Sequence, residues 1–164
     1  MSVYYNNHDL HAITCAGFVM KTPDNQIVLV KSEGKYSFPK GKYEKKKDGK
    51  PKELDTLYAC ALRELVEETE MYNYKFKTTK NLSKLFVEKT NILYFPGVIE
   101  TKFENFTVNF TPNDEIDELH WLSEDQIKKL PSEVFKTERK AIALAHLNNS
   151  NGDQFDIVEQ ILNS

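Results

Sequence analysis

Ala61-Leu62-Arg63-Glu64-Leu65-Val66-Glu67-Glu68-Thr69 places three carboxylates and one guanidinium within six consecutive residues. Tyr58, Leu62, Leu65, Val66 and Thr69 recur at three- and four-residue spacing, which predicts a helix over residues 56–69. At about 100° per residue, Glu64, Glu67 and Glu68 share one narrow sector opposite those residues and are expected to point away from the core together. Like charges at such spacings repel by roughly 0.2–0.5 kcal/mol per pair on an isolated helix. A bound cation would reverse that repulsion, and hard oxygen donors suit Mg2+ or Mn2+ better than zinc. A solvated acidic face with Arg63 as its internal ion-pair partner has the same composition, so the helix by itself leaves both readings open.

Upstream spacing separates them. The chain reads Gly49-x5-Asp55-x7-Arg63-Glu64-Leu65-Val66-Glu67-Glu68-Thr69-Glu70-Met71. This resembles the Nudix box, G-x5-E-x7-R-E-U-x-E-E-x-G-U, where U is aliphatic. Asp55 stands where the box has Glu, and Glu70 where it has Gly. That Gly commonly lets the chain leave the helix through a left-handed residue, a conformation that costs another residue about 1 kcal/mol. Either the helix runs on past Glu70 or its exit is strained. Phe38-Pro39-Lys40-Gly41-Lys42 also resembles the strand-loop element that enters the box in many Nudix proteins. Gly41 is then the structural equivalent of the box glycine, displaced by eight residues, and Gly49 completes the pattern by coincidence. The intervening residues 43–54, with five lysines, Asp48-Gly49 and Pro51, are expected to form an exposed loop, with Asp55 as the helix N-cap.

A length of 164 residues with 40% apolar and 12% aromatic content predicts one domain, residues 1–164, with a sizeable core. The net charge of −3 hides an uneven distribution, because seven lysines lie between Lys40 and Lys52, directly ahead of the acidic helix. A basic stretch beside an acidic metal site suits a polyanionic substrate, while a solvated lysine loop without a ligand is the plainer alternative. Cys15 and Cys60 offer neither a disulfide framework nor zinc spacing and are expected to be buried thiols. No apolar run approaches the ~20 residues of a membrane span. The N-terminal residues lack a charged and then apolar signal region, so a cytoplasmic location is expected, with the nucleus as the alternative. The Asn-x-Ser/Thr triplets at Asn81, Asn105 and Asn148 are then chance matches.

Strands are predicted at residues 13–21, 27–31, 36–38, 75–77, 85–89, 92–100, 106–110 and 116–122. Ser123 and Gln126 form a capping-box pattern for a short helix stopped at Pro131. Two further helices are predicted at residues 137–148 and 153–162. This is an α+β order, and the Nudix resemblance, which spans about residues 13–147, implies a Nudix-like α/β/α sandwich with a mixed central sheet. Within that frame, Asp114-Glu115-Ile116-Asp117-Glu118-Leu119-His120-Trp121-Leu122 resembles the late Nudix strand that ends in Trp and precedes a short helix. In several family members a Glu about six residues before that Trp reaches the metals, a place held here by Glu115.

The resemblance implies hydrolysis of a diphosphate linkage between a nucleoside and another group, by attack of water on phosphorus. It implies Glu64 and Glu68 as ligands of Mg2+ or Mn2+, Glu67 as ligand or general base, and Glu115 as the competing base. A carboxylate near pKa 4 is a weak base at neutral pH, so crowding that raises it is useful. Arg63 is expected to orient a glutamate through a bidentate pair, and Lys40, Gly41 and Lys42 to meet the substrate phosphates. Tyr36 to Lys42, Ile92 to Gly97 and Glu115 to Ser123 are together most similar to the catalytic domain of eukaryotic mRNA-decapping enzymes. Capped RNA is therefore the first expected partner. Diadenosine-polyphosphate and diphosphoinositol-polyphosphate hydrolysis are alternatives, as is a non-catalytic Nudix-fold module that binds a nucleotide or RNA. Neither the number of metals nor the oligomeric state can be read from the chain.

Overall fold

Two apolar segments set the middle of the molecule. In the computed structural model, which describes residues 3–5, 9–72, 74–100, 111–113, 115–149 and 155–161, they form β1 (Cys15–Lys21) and β2 (Gln26–Ser32). Short β3 (Lys35–Ser37) and β4 (Lys40–Lys42) follow, then α1 (Lys45–Asp48) and α2 (Leu54–Thr69). After these come β5 (Lys75–Thr78), β6 (Phe86–Glu88), β7 (Ile92–Ile99) and β8 (Glu118–Ser123). The chain continues through α3 (Glu124–Lys129), α4 (Thr137–Leu147) and β9 (Ile157–Gln160).

The sheet runs β3-β2-β1-β7-β5-β9, with β4 beside β1, β6 beside β7 and β8 beside β2. β1 and β7 pair in parallel from Cys15↔Ile92 to Lys21↔Val98, and the other ladders among the described residues are antiparallel, so the sheet is mixed. Strand alternation divides the core in two. Ala16, Phe18 and Met20 of β1 and Leu93 and Phe95 of β7 face Leu57, Ala61 and Leu65 of α2. Val19, Ile92 and Tyr94 face the opposite way, onto Ile142, Ala143 and Leu147 of α4. Helices thus cover both faces, giving the expected α/β/α sandwich. Ser123 caps α3 as predicted: its hydroxyl accepts from Gln126 N–H at 3.3 Å, and the Gln126 side chain accepts from Ser123 N–H at 2.8 Å.

Several expectations are corrected. Within residues 153–162, Ile157–Gln160 is not helical but an edge strand, paired antiparallel with β5 from Thr78↔Ile157 to Lys75↔Gln160. The open edge of β5 offers ladder hydrogen bonds that a short β-branched segment satisfies better than an isolated turn of helix. The strand expected at residues 106–110 lies outside the described residues. The acidic helix begins at Leu54, with Glu53 rather than Asp55 at the N-cap, and Thr56 Oγ1 accepts from Glu53 N–H at 2.9 Å. Asp55 sits in the first turn, its side chain 74% exposed and bonded to Lys80 Nζ at 3.0 Å. There its charge complements the helix dipole. At the other end the exit is the strained one, because α2 stops at Thr69 and Glu70 adopts φ 53°, ψ 34°. Residues 43–54 are not simply an exposed loop, since Tyr43 and Asp48 are buried. Cys60 is buried as expected, whereas Cys15 is only part-buried. No helix of the described residues is long and apolar enough to cross a membrane.

Candidate active site

The site forms where β4 is pressed against α2. Gly17 on β1 permits this, because a Cβ there would collide with the Pro39 carbonyl oxygen and with Lys40. Phe18 N–H donates to that carbonyl at 3.1 Å, and Ala16 pairs with Gly41. A Cβ at Gly41 would occupy the space of the Glu64 carboxylate, so only glycine allows the turn to lie on it. One residue earlier, Lys40 N–H donates to Glu68 Oε1 at 3.0 Å. Glu64 and Glu68, one helical turn apart, are therefore covered by β4 and only 7% and 9% exposed. Glu67 points outward with a side chain 51% exposed. The three glutamates do not share one solvent-facing sector. The helical wheel shows α2 alone and cannot show that β4 roofs one flank of its acidic side.

Arg63 lies at the edge of this roof with every guanidinium N–H directed at an acceptor. Nε and Nη2 grip Asp48 in a bidentate pair at 2.8 and 2.9 Å. Nη1 donates to Glu64 Oε1 at 2.8 Å and to Glu67 Oε2 at 3.3 Å, and Nη2 also reaches the Lys42 carbonyl at 3.1 Å. Arg63 bonds Glu64 and Glu67, but its bidentate partner is Asp48, which the spacing of lysines and turn residues had placed in an exposed loop. The one available signal was an acid followed by glycine within a lysine run. Glycine ends α1 here in the positive-φ region at φ 97°.

The electrostatics separate the carboxylates. Burial, with the charges of Glu67 and Glu115 adding, pushes Glu64 up to about 7 against the pull of Arg63. Burial likewise pushes Glu68 up to about 8, with the charges of Glu64 and Glu115 adding, although Lys40 opposes through its N–H and its own charge. For Asp48 burial also raises the pKa, but hydrogen bonds from Arg63 and Glu44 N–H, with the Arg63 charge, outweigh it and hold the carboxyl below its ordinary value. Glu115 is exposed on the loop before β8, where Asn113 Oδ1 accepts from both Glu115 N–H and Ile116 N–H at 2.9 Å. It is thus within electrostatic reach of both buried glutamates. Cys60, its thiol pushed up to about 12 chiefly by burial, is no nucleophile.

Among the described residues, no group of three His, Cys, Asp or Glu side chains converges as a ready-made metal cage. The glutamates are turned toward Arg63 and Lys40. Their chemistry nevertheless fits a hard divalent cation: oxygen donors only, two of them buried, and a mutual repulsion that adds to burial in raising Glu64 and Glu68.

The NUDIX domain family matches residues 12–145. The chain belongs to the Nudix family. Nudix members are pyrophosphohydrolases acting on phosphoric anhydride bonds, and they generally use divalent metals such as Mg2+ or Mn2+. Solved structures share this Nudix fold at low identity. An Ap4A hydrolase from C. elegans, in a binary complex, is 16% identical over 80% of this chain and 97% of its own, with a TM-score of 0.54. An ADP-ribose pyrophosphatase from Streptococcus suis is 13% identical over 87% and 94%, with a TM-score of 0.53. A NUDIX hydrolase from Nitrosomonas europaea is 16% identical over 82% and 87%, with a TM-score of 0.51. A search of curated proteins finds no match to the sequence.

Proposed function

We propose that this chain is a Mg2+- or Mn2+-dependent hydrolase of a diphosphate linkage in a nucleotide derivative, with the 5′ cap of mRNA as its first-ranked substrate. The observation that carries the reaction class is the pair Glu64 and Glu68, buried under β4 in a cluster where Asp48, Glu67 and Glu115 add more negative charge than Arg63 and Lys40 balance. Glu64, Glu67 and Glu68 would hold the divalent cation, which when bound would neutralise charge on the phosphate oxygens. Lys40 and Lys42 flank the turn and orient the polyphosphate, and Gly41 leaves its path clear of a side chain. Glu115, on the exposed loop facing the buried pair, accepts the proton of the attacking water, with Glu67 as the competing base.

What favours capped RNA over a small dinucleotide is the placement of the lysines. Asp48 ties α1 to Arg63, and Lys45, Lys46 and Lys47 of α1 are exposed beside the site, where a cationic surface attracts a polyanionic chain. The Ap4A hydrolase likeness keeps dinucleotide polyphosphates as the second reading, with diphosphoinositol polyphosphates behind them. Capped RNA, diadenosine tetraphosphate and a diphosphoinositol polyphosphate, each incubated with and without Mg2+ or Mn2+, test this. Product release only with metal, fastest on capped RNA, is expected. Binding without release under any condition would make the chain a binding module instead. Exchanging Lys45, Lys46 and Lys50 for Ser should lower the slope of log affinity against log salt for capped RNA by roughly 0.7 for each phosphate that is no longer neutralised. Equal losses on diadenosine tetraphosphate would replace an RNA path by a general electrostatic field.

A further inference from the structure

Asp55 holds the acidic box position ahead of Arg63, but it is not the acid that Arg63 grips. Asp55 lies eight residues before Arg63, about 12 Å along the helix axis, and its carboxylate bonds Lys80. Asp48, from the segment between the Lys40–Gly41 turn and α2, closes the bidentate pair instead, with a side chain only 1% exposed.

Asp48 is itself held firmly. Its second oxygen accepts from Glu44 N–H at 2.9 Å, across the single turn of α1. The Tyr43 hydroxyl donates to the Gly49 carbonyl. Lys52 Nζ donates to the Ile13 carbonyl at 2.8 Å and lies 5.6 Å from the centre of the Tyr43 ring. Tyr43 N–H donates to the Thr14 carbonyl at 3.0 Å, so with Lys52 both ends of the segment are docked on β1 and the residues before it. A planar guanidinium gripped along its Nε–Nη2 edge cannot swing, so Nη1 is left facing Glu64 and Glu67. Without Asp48, Arg63 would be free to follow the exposed Glu67 or Glu44, 3.7 Å from Nη2, and Glu64 would lose its fixed partner.

We propose that Asp48 is a positioning residue for the reaction: acting through Arg63, it sets the Glu64 carboxylate and makes residues 43–52 a working part of the active site. This rests on the hydrolase reading above. The test compares wild type with Asp48→Asn, Arg63→Lys, the double variant and Asp55→Asn. Each is measured by turnover on the best diphosphate substrate and by Mn2+ affinity in a titration without substrate. Asp48→Asn should lower kcat about tenfold or more with KM within about threefold, and weaken Mn2+ by about tenfold, as supporting groups around a metal ligand do. The double variant should lose no more than Arg63→Lys alone, because both break one linkage. Asp55→Asn should leave turnover within about twofold.

Additive losses in the double variant would overturn the proposal. So would kcat per folded molecule at the wild-type level in Asp48→Asn with only a lowered melting temperature, which is what a purely architectural role predicts. A large loss in Asp55→Asn beside an unaffected Asp48→Asn would overturn the proposal and give the role to Asp55. If Asp48→Asn does not fold, Asp48→Glu replaces it and should recover part of both kcat and Mn2+ affinity relative to Asp48→Ala. Recovery of neither would overturn the proposal. A wild type without turnover on any diphosphate substrate would sink the hydrolase reading alone, and Mn2+ affinity would then decide Asp48 by itself: weaker binding in Asp48→Asn supports its role, unchanged binding removes it.

Discussion

Two arginines sit among buried carboxylates on opposite faces of the sheet, and they are balanced differently. Under α4, Arg139 Nε donates to Glu88 Oε1 at 2.9 Å, the Tyr94 hydroxyl donates to the same oxygen at 2.7 Å, and Thr90 Oγ1 reaches Oε2 at 3.1 Å. One cation meets one anion. Burial alone would raise Glu88, but the bonds from Arg139 and Tyr94, the Arg139 charge and Thr90 outweigh it and hold the carboxyl below its ordinary value. Under β4, Arg63 faces Asp48, Glu44, Glu64 and Glu67, with Glu68 beside them. Asp48 is depressed in the same way, and Glu64 and Glu68 are raised. Breaking the closed pair would strand a buried charge, whereas the surplus buried carboxylate is what the proposed cation would neutralise.

Breaking the closed pair should have the largest effect on stability. Arg139→Met leaves Glu88 buried without its partner, and denaturant unfolding should show a loss of about 3–5 kcal/mol. Turnover per folded molecule should be unchanged, and a collapse of turnover in the folded fraction would erase the contrast. On the open side the effect should fall on chemistry: Glu68→Gln and Glu67→Gln should each cut turnover about a hundredfold or more, the scale of losing a group that acts in the transition state. Both variants should stay folded and bind metal more weakly in titration. A folded, fully active double variant would end the assignment of these residues to metal.

The pH dependence of the metal-free protein sharpens the comparison, because the two sides should pull in opposite directions. Glu64 and Glu68 are raised in the folded state, so their contribution is complete below the unfolded value of 4.5 and is lost as pH rises through about 7 and 8. Thermal unfolding between pH 5 and 8 should show a melting temperature that declines as pH rises, flattened by Glu68→Gln and by added Mg2+. His146, wholly buried against Phe86 with Nε2 at 2.9 Å from the Gly97 carbonyl, is lowered by burial from 6.5 to about 4. Its contribution is present above pH 6.5 and is lost as pH falls through about 4, in the same direction as that of Glu88. A metal-free protein with no alkaline decline would mean that Glu64 and Glu68 are relaxed by solvent. The smallest effect belongs to Glu115→Gln, expected to slow the chemical step by about tenfold and flatten the acidic limb of the rate profile while metal affinity stays within a fewfold. Wild-type turnover in that variant would pass the base role to Glu67.

What the sequence disclosed followed its local codes. Apolar periodicity placed α2 within two residues at its start, and Ser123 with Gln126 announced α3, because both signals act within a turn or two. The Arg-Glu-Leu-Val-Glu-Glu run carried the family once the residues ahead of it, Phe38 to Lys42 among them, were read with it. Tertiary contacts hid the rest. Residues 157–160 are strand because β5, far upstream, has a free edge, and no local pattern records that edge. The burial of Glu64 and Glu68 depends on Gly17 and Gly41 letting β4 approach α2. Asp48 was hidden among lysines, which made an anchored segment read as a solvated one.

Glu70 bears on how this protein could be engineered. The box has glycine at that position, so consensus design would install it to relieve the left-handed φ of 53°, worth about 1 kcal/mol before glycine's added freedom in the unfolded chain is subtracted. Yet the Glu70 carboxylate accepts from Thr111 N–H at 2.7 Å, clasping the end of the acidic helix to the segment that leads to Glu115. Replacing it would trade a local relief for a looser segment before Glu115, the proposed base, so a gain in melting temperature would here be recorded as lost precision in catalysis.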